Sequence, residues 1–327
     1  MMLNENLPYA EVRDKIDHAE SITILSHLNP DADALGTALG IYALFAKDKS
    51  KKVEVVNASI DLPQHLDFLP YFKKIKHHMD YSQSLIISCD CGSIDRLGFN
   101  LSGRDILNID HHQSNTHYGT LNVILPQYAS SSQVAFELFK KNYVINAEAA
   151  TCFYTALLSD TRYFTTSSVN EKVFSVAQEL VSRGAHPDTI SRNFTQRRPL
   201  SSLRILEKAL TSLSLTQDAQ VATLMVSKKD IDATGATVPD MEGIADYARS
   251  LATVEVALFA MELDDGIRIS LRSKNTDVSK VAEAFGGGGH KVAAGFTFTY
   301  NDCQSGLEEC VNKVLQKIIE LGLLDEK

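Results

Sequence analysis

The chain has 327 residues, 44% hydrophobic and 22% charged, which is an ordinary globular make-up with room for two domains. No apolar run is long enough to span a bilayer, and the N-terminus lacks a basic region followed by an apolar one, so the expectation is a cytoplasmic protein with no membrane partner. The net charge of −9 argues against a broad groove for long duplex nucleic acid, though a short anionic substrate can still be held by a few basic residues and bound cations. Five scattered cysteines, with Cys89 and Cys91 the close pair, suit reduced thiols in a reducing compartment.

In chain order, residues 9–19 carry apolar side chains at helical spacing and predict a short helix. Residues 21–26 read as a buried strand and residues 35–45 as a helix. His27, Pro30, Asp31 and Asp33 lie between them. In open α/β sheets, that junction of a strand's carboxyl end with a helix start is where ligands bind. Pro30 stiffens the loop. Asp31 and Asp33, two apart in extended backbone, would point their carboxylates the same way. One imidazole and two carboxylates suit one divalent cation or two. An Asx-rich turn with an N-capping Asp would use the same residues.

Residues 53–56 predict a strand. Residues 61–72 are irregular, broken by Pro63 and Pro70, and residues 73–78 form a basic surface run that includes His77 and His78. The strand 85–89 ends on Asp90 and leads into a turn-rich loop, where Arg96 would hold either Asp95 or a substrate phosphate. The strand 106–109 ends on Asp110, His111 and His112. Helices are expected over 130–142 and 147–158, with Asp160 just beyond, and over 171–183, ended by Gly184. Strands alternating with helices argue a doubly wound, mostly parallel α/β sheet.

Arg197-Arg198-Pro199 punctuates the chain, and residues 200–213 predict a linker helix. Strands follow over 221–226 and 254–261. Residues 266–272 alternate like a half-exposed strand with Arg268 and Arg272 on one face. A short helix over 278–285 leads into Gly286-Gly287-Gly288-Gly289-His290, then a strand over 296–298 and a closing helix over 310–321. The glycine run suits either a flexible linker or a loop whose backbone approaches an anion closely. The domain plan is therefore a catalytic α/β domain over 1–195, a linker helix over 196–215 and a smaller α/β domain over 216–327.

Four apolar segments end on His27, Asp90, Asp110 and Asp160 with no Lys or Arg at hand. Buried charges need partners, and convergence on shared cations accounts for all four. The chain resembles the DHH phosphoesterase superfamily, named for the triplet found here as Asp110-His111-His112. The motif His-x-x-Pro-Asp-x-Asp-Ala-x-Gly matches residues 27–36 without a gap. Asp90 and Asp160 match the second and fourth motifs. The glycine run with His290, Ala293, Ala294 and Gly295 looks like the signature of the DHH-associated second domain. Within the superfamily the likeness is greatest to the short two-domain nanoRNase and phosphoadenosine-phosphate phosphatase branch.

The resemblance implies that His27 and Asp31 hold one metal, that Asp33, His111 and Asp160 hold the other, and that Asp90 bridges them. Oxygen and imidazole donors without thiolate suit two Mn²⁺ ions. A bridging water would give up a proton and attack phosphorus in line. Asp110 is expected to orient His111, and His112 to contact phosphate. Arg272, Gly287, Gly288, Gly289 and His290 would grip the substrate's far end and limit its length, with Arg96 and Arg162 as further contacts. The implied activity is hydrolysis of short oligoribonucleotides (nanoRNA) to mononucleotides and of phosphoadenosine phosphate to AMP, so the implied partners are short RNA and small nucleotides, with a homodimer left open. Linear or cyclic dinucleotides are the alternative substrates. A non-catalytic nucleotide sensor is a further alternative, against which the complete ligand set argues. The departure from the family pattern is Arg162, where relatives commonly carry Gly, with Thr165 where many carry Arg.

Overall fold

The apolar runs of the first half pair as a six-stranded parallel sheet. The computed structural model describes residues 7–302 and 306–324, and the chain divides into units Met1–Arg197 and Arg198–Lys327. The first unit contains α1 (Tyr9–His18), β1 (Ser21–Ser26), α2 (Ala32–Phe45), β2 (Lys52–Val56), β3 (Ile75–Lys76), β4 (Leu85–Cys89), β5 (Ile106–Asp110), β6 (Leu121–Ile124), α3 (Ser131–Phe139), α4 (Ala147–Asp160), α5 (Glu171–Ser182) and α6 (Pro187–Thr195). Strand order is β3-β2-β1-β4-β5-β6. It reverses between β1 and β4, and that reversal opens a crevice at the carboxyl ends of the strands. These central strands read as unbroken apolar runs because both of their faces are covered.

Helix α2 is buried nearly all round. Its glycines serve close packing: a Cβ at Gly36 would lie 2.7 Å from the Cys152 carbonyl, and one at Gly40 would meet the Phe153 ring at 2.3 Å. Both contacts are to α4, which brings the last residue of α4, Asp160, to the first turn of α2. Helix α6 was not anticipated; it is nine residues long, opens on Pro187 and buries only Ile190.

The second unit contains α7 (Leu200–Thr211), β7 (Ser214–Thr216), β8 (Val221–Val226), α8 (Lys228–Thr234), α9 (Ile244–Arg249), β9 (Val256–Leu263), β10 (Gly266–Ser273), α10 (Ser279–Ala284), β11 (Gly288–His290), β12 (Ala293–Phe298) and α11 (Leu307–Glu320). Its sheet runs β11-β12-β10-β9-β8-β7, with β8 and β9 parallel and every other pair antiparallel. Alternation sets two cores. Leu258, Ala260, Ile267 and Ile269 pack with Val281, Val314 and Ile318, while Ala257 and Phe259 pack with Ile205, Ala209 and Ile244 on the opposite face. Ile205 and Ala209 belong to α7, so the helix expected as a linker is built into the second unit. Part of the glycine run is strand β11, which carries no side-chain pattern by which to read it. Cys310 is disulfide-bonded, so the expectation of reduced thiols holds for Cys89, Cys91 and Cys152 alone among the described residues. No helix among the described residues is long and apolar enough to cross a membrane.

Candidate active site

His27 follows β1, Asp90 follows β4, and Asp110, His111 and His112 lie at the end of β5, all on one edge of the sheet. Asp90 adopts left-handed backbone, φ 54, which Asp tolerates better than most residues. Strain of this kind collects at functional sites. Its two carboxylate oxygens diverge. Oδ2 lies 3.7 Å from His27 Nε2, and Oδ1 lies 3.7 Å from His111 Nε2. His111 Nε2 also stands 3.8 Å from Asp33 Oδ2 and 3.5 Å from Asp160 Oδ2. Ligand-type atoms gather within 4.8 Å of one another in three sets: His27, Asp31 and Asp90; Asp33, His111 and Asp160; and Asp90, His111 and His112.

These separations exceed good hydrogen-bond lengths. They are spacings that donors keep around a small cation bound at about 2.1 Å. The electrostatics point the same way. Burial first, and neighbouring carboxylates second, push Asp33, Asp90 and Asp160 up to about 7. Such a cluster calls for positive charge. Burial lowers His27 toward the neutral ring that donates a lone pair to a metal. Burial opposes protonation of His111, yet Asp33, Asp90 and Asp160 raise it overall. Donor chemistry and spacing thus both fit divalent cations.

The helices complete the arrangement. Asp31 is the N-cap of α2, its Oδ1 accepting from Ala34 N at 3.0 Å, so the capping role and membership of the His27 set coexist. Because α2 begins at Ala32, Asp31 and Asp33 are not in one extended stretch, contrary to expectation, and they join different sets. Asp33 is fixed by the start of α3: it accepts from Ser131 N at 2.7 Å and Ser132 N at 3.1 Å. Ser131 Oγ donates to Asp90 Oδ1 at 2.8 Å. Sequence reasoning missed Ser131. The signal was the serine run 130–132 opening a helix, which marks an N-cap but does not say which carboxylates its amides meet.

Asp110 differs from expectation. Its Oδ1 is 2.8 Å from His112 Nδ1, and its Oδ2 accepts from Asn115 Nδ2 at 2.6 Å, while His111 Nδ1 lies 3.3 Å from the Tyr128 carbonyl. Asp110 therefore holds the His112 ring, and meets His111 through its backbone N–H, which donates to Oδ1 at 2.7 Å, because the tight turn after β5 folds the second imidazole back over the carboxylate. That hydrogen bond lifts His112 to about 9, leaving it cationic at neutral pH. Burial resists ionisation of Asp110, but His112 and Asn115 hold its carboxyl below the usual range. Arg96 makes no ion pair with Asp95; its guanidinium lies 3.3 Å from His27 Nδ1. Arg162 is exposed just past Asp160, first of three left-handed residues with Tyr163 and Phe164, φ 45, 59 and 62. His77 and His78 join no metal-type set among the described residues.

In the second unit, Arg272 lines a groove of about 440 Å³ together with Arg268, Ser270, Gly288, Gly295 and Thr297. His290 is exposed on β11. The glycines divide by role. A Cβ at Gly287 would lie 2.4 Å from the Gly295 carbonyl, and one at Gly289 would lie 2.5 Å from the Ala293 carbonyl, whereas one at Gly288 would meet nothing within 4 Å. Gly287 and Gly289 thus satisfy strand packing, and Gly288 faces open space.

Comparison with known proteins places this geometry. Residues 21–157 match the DHH family, N-terminal domain, and residues 217–321 match the DHHA1 domain. The chain is 29% identical to the bifunctional oligoribonuclease and PAP phosphatase NrnA of Thermus thermophilus, over 93% of this chain and 92% of that protein. It is 25% identical to the Bacillus subtilis protein of the same name, over 84% and 88%. Its fold matches the crystal structure of an exopolyphosphatase-related protein from Bacteroides fragilis with a TM-score of 0.89, at 26% identity, covering 98% of this chain and 99% of that one.

Proposed function

We propose, from the premise that the chain belongs to the DHH family and carries a DHHA1 domain, that this phosphoesterase hydrolyses short oligoribonucleotides to mononucleotides and phosphoadenosine phosphate to AMP. The observation that carries the chemistry is the divergence of the Asp90 oxygens, one toward His27 and one toward His111. That divergence supports a carboxylate shared by two cation sites. The substrate class rests on relatives named oligoribonuclease and PAP phosphatase that align over most of both chains.

In this reading His27 and Asp31 hold one ion, Asp33, His111 and Asp160 the other, and Asp90 both. Two Mn²⁺ ions, when bound, supply Lewis acidity and an activated water. The protein's own groups do the rest. Ser131 and Ser132 fix Asp33, and Ser131 also steadies Asp90. Asp110 locks the His112 ring and keeps it charged, so that it meets a phosphoryl oxygen with a charge-assisted hydrogen bond. Arg96, beside His27, and Arg162, beyond Asp160, offer further cationic contacts. Arg272, His290 and the opening at Gly288 take the substrate's distal part.

The test is a turnover panel in Mn²⁺ with a dinucleotide, longer RNA, phosphoadenosine phosphate, a cyclic dinucleotide and pyrophosphate. Dinucleotide and phosphoadenosine phosphate should be the good substrates. A preference for the cyclic dinucleotide or pyrophosphate would overturn the assignment.

A further inference from the structure

Asn115 follows Asp110 by five residues and is buried. Its Oδ1 accepts from His117 N at 2.8 Å, and that turn alone is a structural use of asparagine. The turn leaves the two protons of Nδ2 to be placed. One goes to the Cys91 carbonyl at 3.0 Å and the other to Asp110 Oδ2 at 2.6 Å. Oδ1 also accepts from Asn108 Nδ2 at 3.0 Å, and Asn108 Nδ2 donates in addition to Asn122 Oδ1 at 3.1 Å, its register partner on β6. A backbone N–H at one end of the Asn115 carboxamide and a backbone carbonyl at the other settle which atom is oxygen and which is nitrogen. Cys91 is the residue after Asp90, so one amide ties the loop of the shared carboxylate to the loop of Asp110.

We propose that Asn115 is a positioning residue for the phosphoryl-transfer site: it holds Asp110 Oδ2, and thereby keeps Oδ1 turned to His112 Nδ1 and the far side of the His112 ring turned to the substrate phosphoryl group. The inference rests on the reading of His112 as a phosphate contact. The torsion that turns a carboxylate plane is soft, so Asp110 needs a bond on each oxygen to stay in place. Oδ1 meets His111 N at 2.7 Å, His112 N at 3.2 Å and His112 Nδ1 at 2.8 Å. Asn115 holds Oδ2, the opposite end. Without it the carboxylate swings, and the His112 ring loses its fixed plane. Groups aimed at a reacting phosphoryl oxygen lose most of their effect when they are free to turn.

The test is a double-mutant cycle on Asn115 and His112. Turnover of phosphoadenosine phosphate and a dinucleotide is measured in saturating Mn²⁺, with thermal melts alongside. Asn115→Ala should lower kcat about tenfold, as expected for one charge-assisted hydrogen bond, and leave KM within about twofold of wild type. In a His112→Ala background the same change should cost less than about twofold, because the ring it orients is gone. Should Asn115→Ala fail to fold, Asn115→Ser, which is shorter but keeps a donor for the Cys91 carbonyl, carries the same cycle. A second readout needs no turnover. In protein labelled with nitrogen-15 at histidine, the His112 Nδ1 proton should give a far-downfield signal in wild type, absent in His112→Ala and weakened in Asn115→Ala. Additive losses, with Asn115→Ala equally costly in both backgrounds, would make Asn115 a structural clasp and overturn the positioning role. So would full kcat with an unchanged ring signal. A wild-type protein that turns over neither substrate would instead remove the phosphate-contact reading of His112, and this inference with it.

Discussion

The carboxylate cluster of the first unit and the groove of the second are built on opposite principles. In the cluster, Asp33, Asp90 and Asp110 are buried, and Asp33 and Asp110 each accept from several donors, so the donors stand where they are with or without a ligand. In the groove, Arg268, Gly288 and Thr297 are exposed, and the floor is backbone. A reacting phosphorus needs donors fixed to within a fraction of an ångström. A strand of nucleotides needs an open surface with a few well-spaced charges. On the proposed reading, chemistry belongs to the first unit and selection to the second, and each prediction below strikes one side of it.

The largest effect is expected at the shared carboxylate. Asp90→Ala removes the one group that faces both His27 and His111, and should cut turnover to below a few per cent while the fold survives, since its bulk is small and its environment polar. Circular dichroism and Mn²⁺-dependent turnover check both halves. Substantial residual activity would end the assignment. Ser131→Ala should cost less, about ten- to a hundredfold, because the Ser131 amide to Asp33 remains and only the hydroxyl is lost, 2.8 Å from Asp90 Oδ1 and 3.3 Å from Asp110 Oδ1. Ser131→Thr, which keeps the hydroxyl, should recover part of the loss, and a cavity effect alone would not follow that order.

Removing metal should expose the electrostatic cost of the cluster. Asp33, Asp90 and Asp160 sit near 7 in the folded chain against about 3.9 when unfolded. The folded chain therefore holds protons that the unfolded chain has already released, and stability falls as pH rises through that interval. His111, raised above its usual value, adds a loss in the same direction. Asp110, held low, gives up its stabilisation only under strong acid. Chelated protein should therefore melt at a higher temperature at pH 5 than at pH 8, and Mn²⁺ should restore stability most at pH 8, where cations no longer compete with protons. A melting temperature in chelator that rises with pH would contradict the cluster's charge balance.

Much of this was readable from residue order, and the reason is local. A strand that stops on Asp or His at the carboxyl edge announces itself, as at His27, Asp90 and His111, whereas Asp160 closes helix α4. The alternation in residues 266–272 likewise gave Arg268 and Arg272 a shared face. What escaped was set by contacts distant in sequence. The Ser131 and Ser132 amides reach Asp33 from about a hundred residues away, and nothing in either segment encodes the meeting. The partner of Asp110 turned on the geometry of a two-residue turn, which swapped His112 for His111. The glycine run looked uniform because glycine carries no pattern, and only the neighbouring strand β12 distinguishes its members.

The smallest effect separates those glycines. Gly289 has φ +147, open to glycine and strained for any other residue, and a Cβ at Gly287 or Gly289 would press into backbone of β12. Gly287→Ala and Gly289→Ala should therefore destabilise the second unit by about 1–3 kcal/mol. Gly288 has neither constraint. An alanine there reduces the freedom of the unfolded chain and should change stability by less than about 1 kcal/mol, in the stabilising direction. Its methyl group would stand in the groove, so any loss should appear as a higher KM for oligonucleotides and leave an aryl phosphate ester untouched. Thermal melts of the three variants, with turnover on both substrates, decide it. If Gly288→Ala melts as low as the other two, the run is structural throughout, and the open groove carries no selection.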